Sequence, residues 1–226
     1  MTRRIGYATA TSGYKDGEQA RRAAILESLL PPGVEIEPIA LPGPEFLDRA
    51  EDFDTAIAAA AEWAQNVPAD TYDVIISAGA LDPGLPILRG LTPMPVIGPG
   101  EASLFLGHAL GRPLSIVTVD EHAVAKSQGF VEQTATKPEI VSIRSIDFPV
   151  RRIVSDLDGG RDAVRRTARD AVESDGAQAI MLGAMTLGTL GLDAELRESL
   201  GIPIINPVLA AIQAAVAALR TIGLPN

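Results

Sequence analysis

Ile75-Ile76-Ser77-Ala78-Gly79-Ala80-Leu81-Asp82-Pro83-Gly84-Leu85, followed by Pro95-Val96-Ile97-Gly98-Pro99-Gly100-Glu101-Ala102, reads as strand, loop, short strand and helix start. A strand buried on both faces shows a short continuous apolar run rather than alternation. Gly, Asp and Pro beyond it supply the turn. The same pattern recurs outward in both directions. Strands are expected near 4–8, 34–39, 73–78, 95–97, 114–119, 139–143, 179–182 and 203–205. Between them, Ala-rich segments of helical period predict helices over 17–30, 52–66, 101–110, 121–133, 160–174, 193–200 and 209–222. Asp120 and Asp193 stand where a carboxylate caps a helix or favours its positive end.

Alternating strands and helices indicate an α/β fold with parallel sheets. Strand followed by helix repeats on each side of 98–100, which predicts two pseudo-symmetric lobes rather than one continuous sheet. Each lobe is expected to be a short, mainly parallel sheet flanked by helices. The first would comprise 1–98 with 207–226 and the second 99–206, with an active-site cleft between them. Ligands of open α/β sheets sit beyond the carboxyl ends of the strands, which selects 8–14, 79–84, 98–101, 118–122 and 183–188.

Composition narrows the chemistry. With 46% hydrophobic and 21% charged residues over 226 positions, the chain has the makings of a sizeable core rather than of extended disorder. A net charge of -10 repels phosphate backbones, and no basic cluster exceeds a pair such as Arg151 and Arg152, so nucleic acid is a poor partner. No apolar stretch reaches the roughly 20 residues that span a bilayer. Met1-Thr2-Arg3-Arg4 is not followed by a long apolar segment, so a cytoplasmic protein is expected. The absence of cysteine excludes disulfides, thiolate metal sites and thiol nucleophiles together. His108 and His122 are the only histidines, too few for a His-rich metal site, and neither metal nor other cofactor is expected.

At the strand ends the chain resembles the hydantoin and allantoin racemases of the aspartate/glutamate/hydantoin racemase superfamily. The resemblance runs nearly end to end. It is carried by the two segments quoted first, by Leu114-Ser115-Ile116-Val117-Thr118, by Asp175-Gly176-Ala177 with Met181-Leu182-Gly183, and by Gly201-Ile202-Pro203-Ile204-Ile205-Asn206-Pro207-Val208. In two-thiol members one cysteine stands three residues before the Asp-Pro-Gly and another directly after the Leu-Gly. Here those positions hold Gly79 and Ala184. The family's opening strand ends in an Asn-Pro-Asn-Thr-Ser type segment. This chain has Ala8-Thr9-Ala10-Thr11-Ser12, losing both amides and keeping both hydroxyls.

The resemblance implies racemisation by one thiolate that removes a Cα proton and an opposed thiol that delivers another. Glycine and alanine carry no such proton. Arylmalonate decarboxylases are similar with a single thiol and glycine at the first position, yet they need the second cysteine, which Ala184 again denies. The superfamily also implies a homo-oligomer, in keeping with the frequency of symmetric assembly.

Other groups must then carry the chemistry. Thr9, Thr11, Ser12 and Tyr14 follow the first strand, where hydroxyls and amides hold a carboxylate or carbonyl, or else cap the next helix. Asp82 before Pro-Gly is more naturally a turn residue than a catalyst. Glu101 begins a helix near the seam of the halves, as a general acid or base or as a first-turn acid. His122 and Lys126 share a helical face beside Asp120 and Glu121, and an imidazole suits proton transfer near neutrality. His108, inside Leu104-Phe105-Leu106-Gly107-His108-Ala109-Leu110, is expected to pack rather than react. Gly79, Ala80, Thr118, Ala184, Met185 and Thr186 complete the expected substrate-binding set, the last three in a loop with amides to offer an oxyanion.

Three functions fit. The first is an enzyme on a small carboxylate or a cyclic, hydantoin-like amide, using non-thiol acid-base or water-mediated chemistry such as hydrolysis, elimination or isomerisation. The second is a small-molecule-binding protein that kept the cleft and lost turnover. The third is a solute binder of periplasmic type, opposed by the absence of a leader-like start.

Overall fold

A computed structural model describes residues 2–9, 11–47 and 49–223. The chain divides into two compact units, 1–99 with 211–226, and 100–210. The first begins with β1 (Arg3–Thr9), α1 (Asp16–Ser28), β2 (Val34–Ala40), α2 (Ala50–Asn66), β3 (Val74–Ser77), α3 (Leu85–Leu91) and β4 (Val96–Ile97). After α4 (Pro99–Leu110) come β5 (Leu114–Thr118), α5 (Glu121–Gln133), β6 (Ile140–Ser145), α6 (Val150–Ser155) and α7 (Leu157–Asp175). The chain then runs through β7 (Ala179–Leu182), α8 (Met185–Gly188), α9 (Asp193–Leu200), β8 (Ile204–Ile205) and α10 (Pro207–Thr221).

Each unit contains one sheet, and the two have the same strand order, β2-β1-β3-β4 and β6-β5-β7-β8. All their pairings are parallel. The inner strands β3, β5 and β7 are buried at every residue, because helices cover both faces of a parallel sheet. The outer strand β2 turns Glu35, Glu37 and Pro38 to solvent, which discourages pairing with another strand.

Period-two alternation divides the core of the second unit. Val117, Ile180 and Leu182 meet Ala163, Val164, Ala168 and Ala171 of α7 on one face. Leu114, Ile116, Ala179 and Met181 meet Leu104 of α4 and Val131 of α5 on the other. The spacing 160, 163, 164, 168 and 171 makes the buried stripe of α7. Asp156 caps its first turn through Gly159 N, and Gly176, at φ 72°, ends it in the left-handed conformation. In the first unit, Ala59, Ala60 and Ala64 of α2 pack with Ala8, Ile75, Leu88 and Val96.

Every expected strand and helix is present, with ends displaced by three residues or fewer. Three short helices escaped the sequence reading. The α3 helix has only seven residues and tolerates Pro86 because proline at the start of a helix has no N–H to lose there. The α6 helix follows Pro149 and the α8 helix is a single turn, both too short to display a helical period. Among the described residues no helix is long and apolar enough to cross a membrane.

Candidate functional site

In the first unit, the segment after β1 is laid along the segment after β2. Leu41 N donates to Thr9 O (3.0 Å), Ser12 N to Pro44 O (2.9 Å) and Gly13 N to Glu45 O (2.8 Å), continuing the strand pairing beyond the sheet. Position 10, where an amide was expected to be missing, lies outside the described residues. The Ser12 hydroxyl donates to Gly43 O (3.3 Å), while Thr9, Thr11 and Tyr14 are half-buried. Gly13 has no room for a side chain, since a Cβ would lie 2.5 Å from Phe46 Cζ. The Tyr14 ring meets Phe46 edge-on at 5.9 Å and lies under the Arg22 guanidinium at 3.8 Å. Glu18 in turn accepts from Arg22 Nε (2.6 Å) and Arg21 Nη2 (2.7 Å). Burial pushes the Glu18 carboxyl up, but the hydrogen bonds from Arg21 and Arg22 together with their charges outweigh it and hold it below the usual carboxylate range. The nearby Tyr7 phenol is pushed well above its ordinary value by burial, with Arg22 pulling the other way.

The segment after β3 forms a tight turn. Asp82 N donates to Gly79 O (3.0 Å), and Leu85 N to Asp82 O (3.1 Å). Pro83 lies on Gly79, where a Cβ would stand 2.5 Å from Pro83 Cδ. Asp82 is buried with φ 51°, a left-handed backbone that L residues rarely adopt. Its carboxylate rests against Gly98, whose Cβ would fall 2.6 Å from Asp82 Cγ. Ala80 is buried beside it. Glu101 is half-buried in the first turn of α4.

In the second unit, Thr118 is fully buried and its Oγ1 donates to Gly183 O (3.4 Å). Gly183 N donates back to Val117 O (2.7 Å), so the start of the 183–188 loop is tied to the end of β5. Ala184 is half-buried and extended, while Met185 and Thr186 are buried in α8. The Thr186 carbonyl accepts from Thr189 Oγ1 (2.9 Å). Asp120 caps α5 by accepting from Ala123 N (2.8 Å). His122 and Lys126, both half-buried, stand one turn apart on that helix. Contrary to the packing role expected of it, His108 is exposed, because it lies in the last turn of α4 with its Nδ1 3.1 Å from Lys137 O.

The two sheets put Gly79 and Ala184 in equivalent places. Each is two residues past the third strand of its sheet, β3 or β7. Sequence reasoning passed over three neighbours. In the sequence Pro83 reads only as a turn residue, Arg22 as part of a helix, and Asn206 as part of a resemblance. Asn206 follows β8 directly, so the strand-end rule that selected the other loops applied to it as well. Among the described residues no group of histidine, aspartate and glutamate is arranged to hold a metal ion.

Comparison with known proteins accords with this architecture. The sequence profile of the family described as Asp/Glu/Hydantoin racemase matches residues 18–215. A hydantoin racemase of Paenarthrobacter aurescens is 32% identical over 148 residues, 66% of this chain and 61% of that racemase, so the match spans less than two thirds of the relative's length. A hydantoin racemase of Pseudomonas sp. (strain NS671) is 28% identical over 173 residues, 76% of this chain and 69% of its own. Among solved structures, allantoin racemase from Klebsiella pneumoniae superimposes with a TM-score of 0.87 at 24% identity, covering 97% of this chain and 89% of that one.

Proposed function

The chain belongs to the Asp/Glu/hydantoin racemase family, and we propose that it acts on a small carboxylate or a cyclic, hydantoin-like amide by chemistry in which no thiol takes part. The observation that carries this reading is the equivalence of Gly79 and Ala184. They stand at matching strand ends of the two units, at the positions that the resemblance to two-thiol members of the family assigns to their cysteines. Neither residue can remove or deliver a proton, and the chain has no cysteine elsewhere to replace them.

Acid-base work then falls to Glu101 and His122. Both sit in the first turn of a helix that begins at the carboxyl end of a strand, and both are half-buried. Thr9, Thr11 and Tyr14 offer hydroxyls to a carboxylate or ring amide, with Ser12 holding their segment to Gly43. Ala80, Met185 and Thr186 line the substrate, and Asp82 and Thr118 shape the loops that present them. Water-mediated ring opening, elimination and double-bond isomerisation are the reactions in keeping with this set. The Pro83 ring lying on Gly79 favours a second reading, a binding protein that keeps the ligand and has no turnover.

The test is to incubate the purified protein with 5-substituted hydantoins, their ring-opened products, simple amides and small dicarboxylates, following mass and optical rotation. A product of altered mass or geometry is expected. Rapid loss of optical rotation at constant mass would overturn the assignment to ring opening, elimination or isomerisation and show racemisation by groups other than thiols, and binding without consumption would replace it by the second reading.

A further inference from the structure

Asn206 joins the ends of three helices through one buried amide. Its Nδ2 donates to Gly188 O (2.8 Å) at the end of α8 and to Asp193 Oδ2 (2.7 Å) in the first turn of α9. Its Oδ1 accepts from Val208 N (2.9 Å) in the first turn of α10. Only a side chain with both donors and an acceptor makes this set, which excludes aspartate and leucine alike. The fit on Gly188 is close. A Cβ there would run into Asn206 Oδ1 and come within 3.1 Å of Val208 Cγ2, so residue 188 must be glycine for the turn to rest on the amide.

The 183–188 loop is therefore pinned at both ends. Gly183 is held by Val117 O and Thr118 Oγ1, and Gly188 by Asn206. Between the pins lie Ala184, Met185 and Thr186. We infer that Asn206, oriented by Asp193, is a positioning residue that fixes the turn carrying Ala184, Met185 and Thr186 and so sets how that turn meets the substrate. This inference rests on the proposed function only for the statement that the turn meets a ligand. The pinning itself is a property of the chain.

A paired substitution separates positioning from general stability. In Asn206→Asp with Asp193→Asn, the new carboxylate accepts from Val208 N and from the relocated amide, but it has no N–H for Gly188 O. The measurements are hydrogen exchange across the chain, thermal unfolding, and titration with 5-methylhydantoin. The expected result is an unfolding temperature close to wild type, exchange in 183–188 raised at least tenfold with β5 and β7 unchanged, and binding of 5-methylhydantoin weakened at least fivefold. Unchanged exchange in 183–188 would overturn the inference, because the bond to Gly188 would then position nothing. Exchange raised uniformly, or global unfolding, would overturn it in favour of a purely structural amide. Raised local exchange with undiminished binding would show that the turn does not serve the ligand. Should the wild type neither bind nor consume any of the hydantoins, ring-opened products, amides and small dicarboxylates of the assay, the proposed function fails, while the exchange comparison still decides whether Asn206 pins the turn.

Discussion

The carboxylate of Asp82 lies against the α-carbon of Gly98, so closely that a methyl group on residue 98 would stand 2.6 Å from Asp82 Cγ. The second unit has the same joint with its parts exchanged. There the polar side chain, Asn206, follows the fourth strand, and the glycine, Gly188, lies in the loop after the third. In both units a proline comes next and begins a helix, Pro99 in one and Pro207 in the other. A small residue facing a polar one is thus how each sheet fixes the loop after its third strand.

Gly98→Ala is expected to destabilise the protein by about 1–3 kcal/mol, the usual cost of forcing an extra carbon into a packed site. Adding Asp82→Gly removes the overlapping carboxylate and suits the left-handed backbone at φ 51°. The second change should recover at least half of the loss. Additive losses in thermal melts of the single and double variants would show that the two residues are not coupled.

Gly79→Cys restores a family thiol on paper but not in this packing, because Pro83 Cδ occupies the place of its Cβ. A loss of about 1–3 kcal/mol is expected. Pro83→Ala in the same chain should return most of it. Chemical denaturation with both variants measures this, and a neutral Gly79→Cys would mean that the turn opens without cost.

Glu101→Gln and His122→Asn are each expected to lower turnover of the substrate identified by the mass and optical-rotation assay at least tenfold, about 1.4 kcal/mol of barrier. Glu101→Gln is isosteric and His122→Asn puts a smaller polar amide at a half-buried position, so the unfolding temperature should change little. Steady-state kinetics decide each residue separately, and unaltered kcat and kcat/KM remove it from the mechanism.

Asp175 is held down at about 2 by its bonds from Arg144 and Ser142, below the ordinary aspartate value of 3.8. Arg144 Nη2 donates to it at 2.6 Å, tying the outer strand β6 to the end of α7. A carboxyl depressed on folding contributes stability that is fully present above about pH 4 and is lost as pH falls through about 2. The difference in unfolding temperature between wild type and Asp175→Asn should therefore be largest near neutrality and vanish towards pH 2. A difference independent of pH would place the contribution in packing instead.

The amino-acid sequence by itself determined the two α/β units. Runs such as 75–77 and 179–182 are apolar on both faces, and Ala-rich segments such as 52–66 keep a helical period, so local pattern and global fold agree. It also determined that the chain has no cysteine to offer as a thiol, because that depends only on which residues are present. Helices as short as α8 carried no such signal, since a single turn has no period to read. Only the tertiary structure decided that Pro83 fills the place beside Gly79 and that Asp82 rests on Gly98. It likewise decided that Asn206 reaches back 18 residues to Gly188. Those relationships arise where separate strand ends come within contact distance, and distance through space between residues far apart in the chain is set by packing rather than by any local run of side chains.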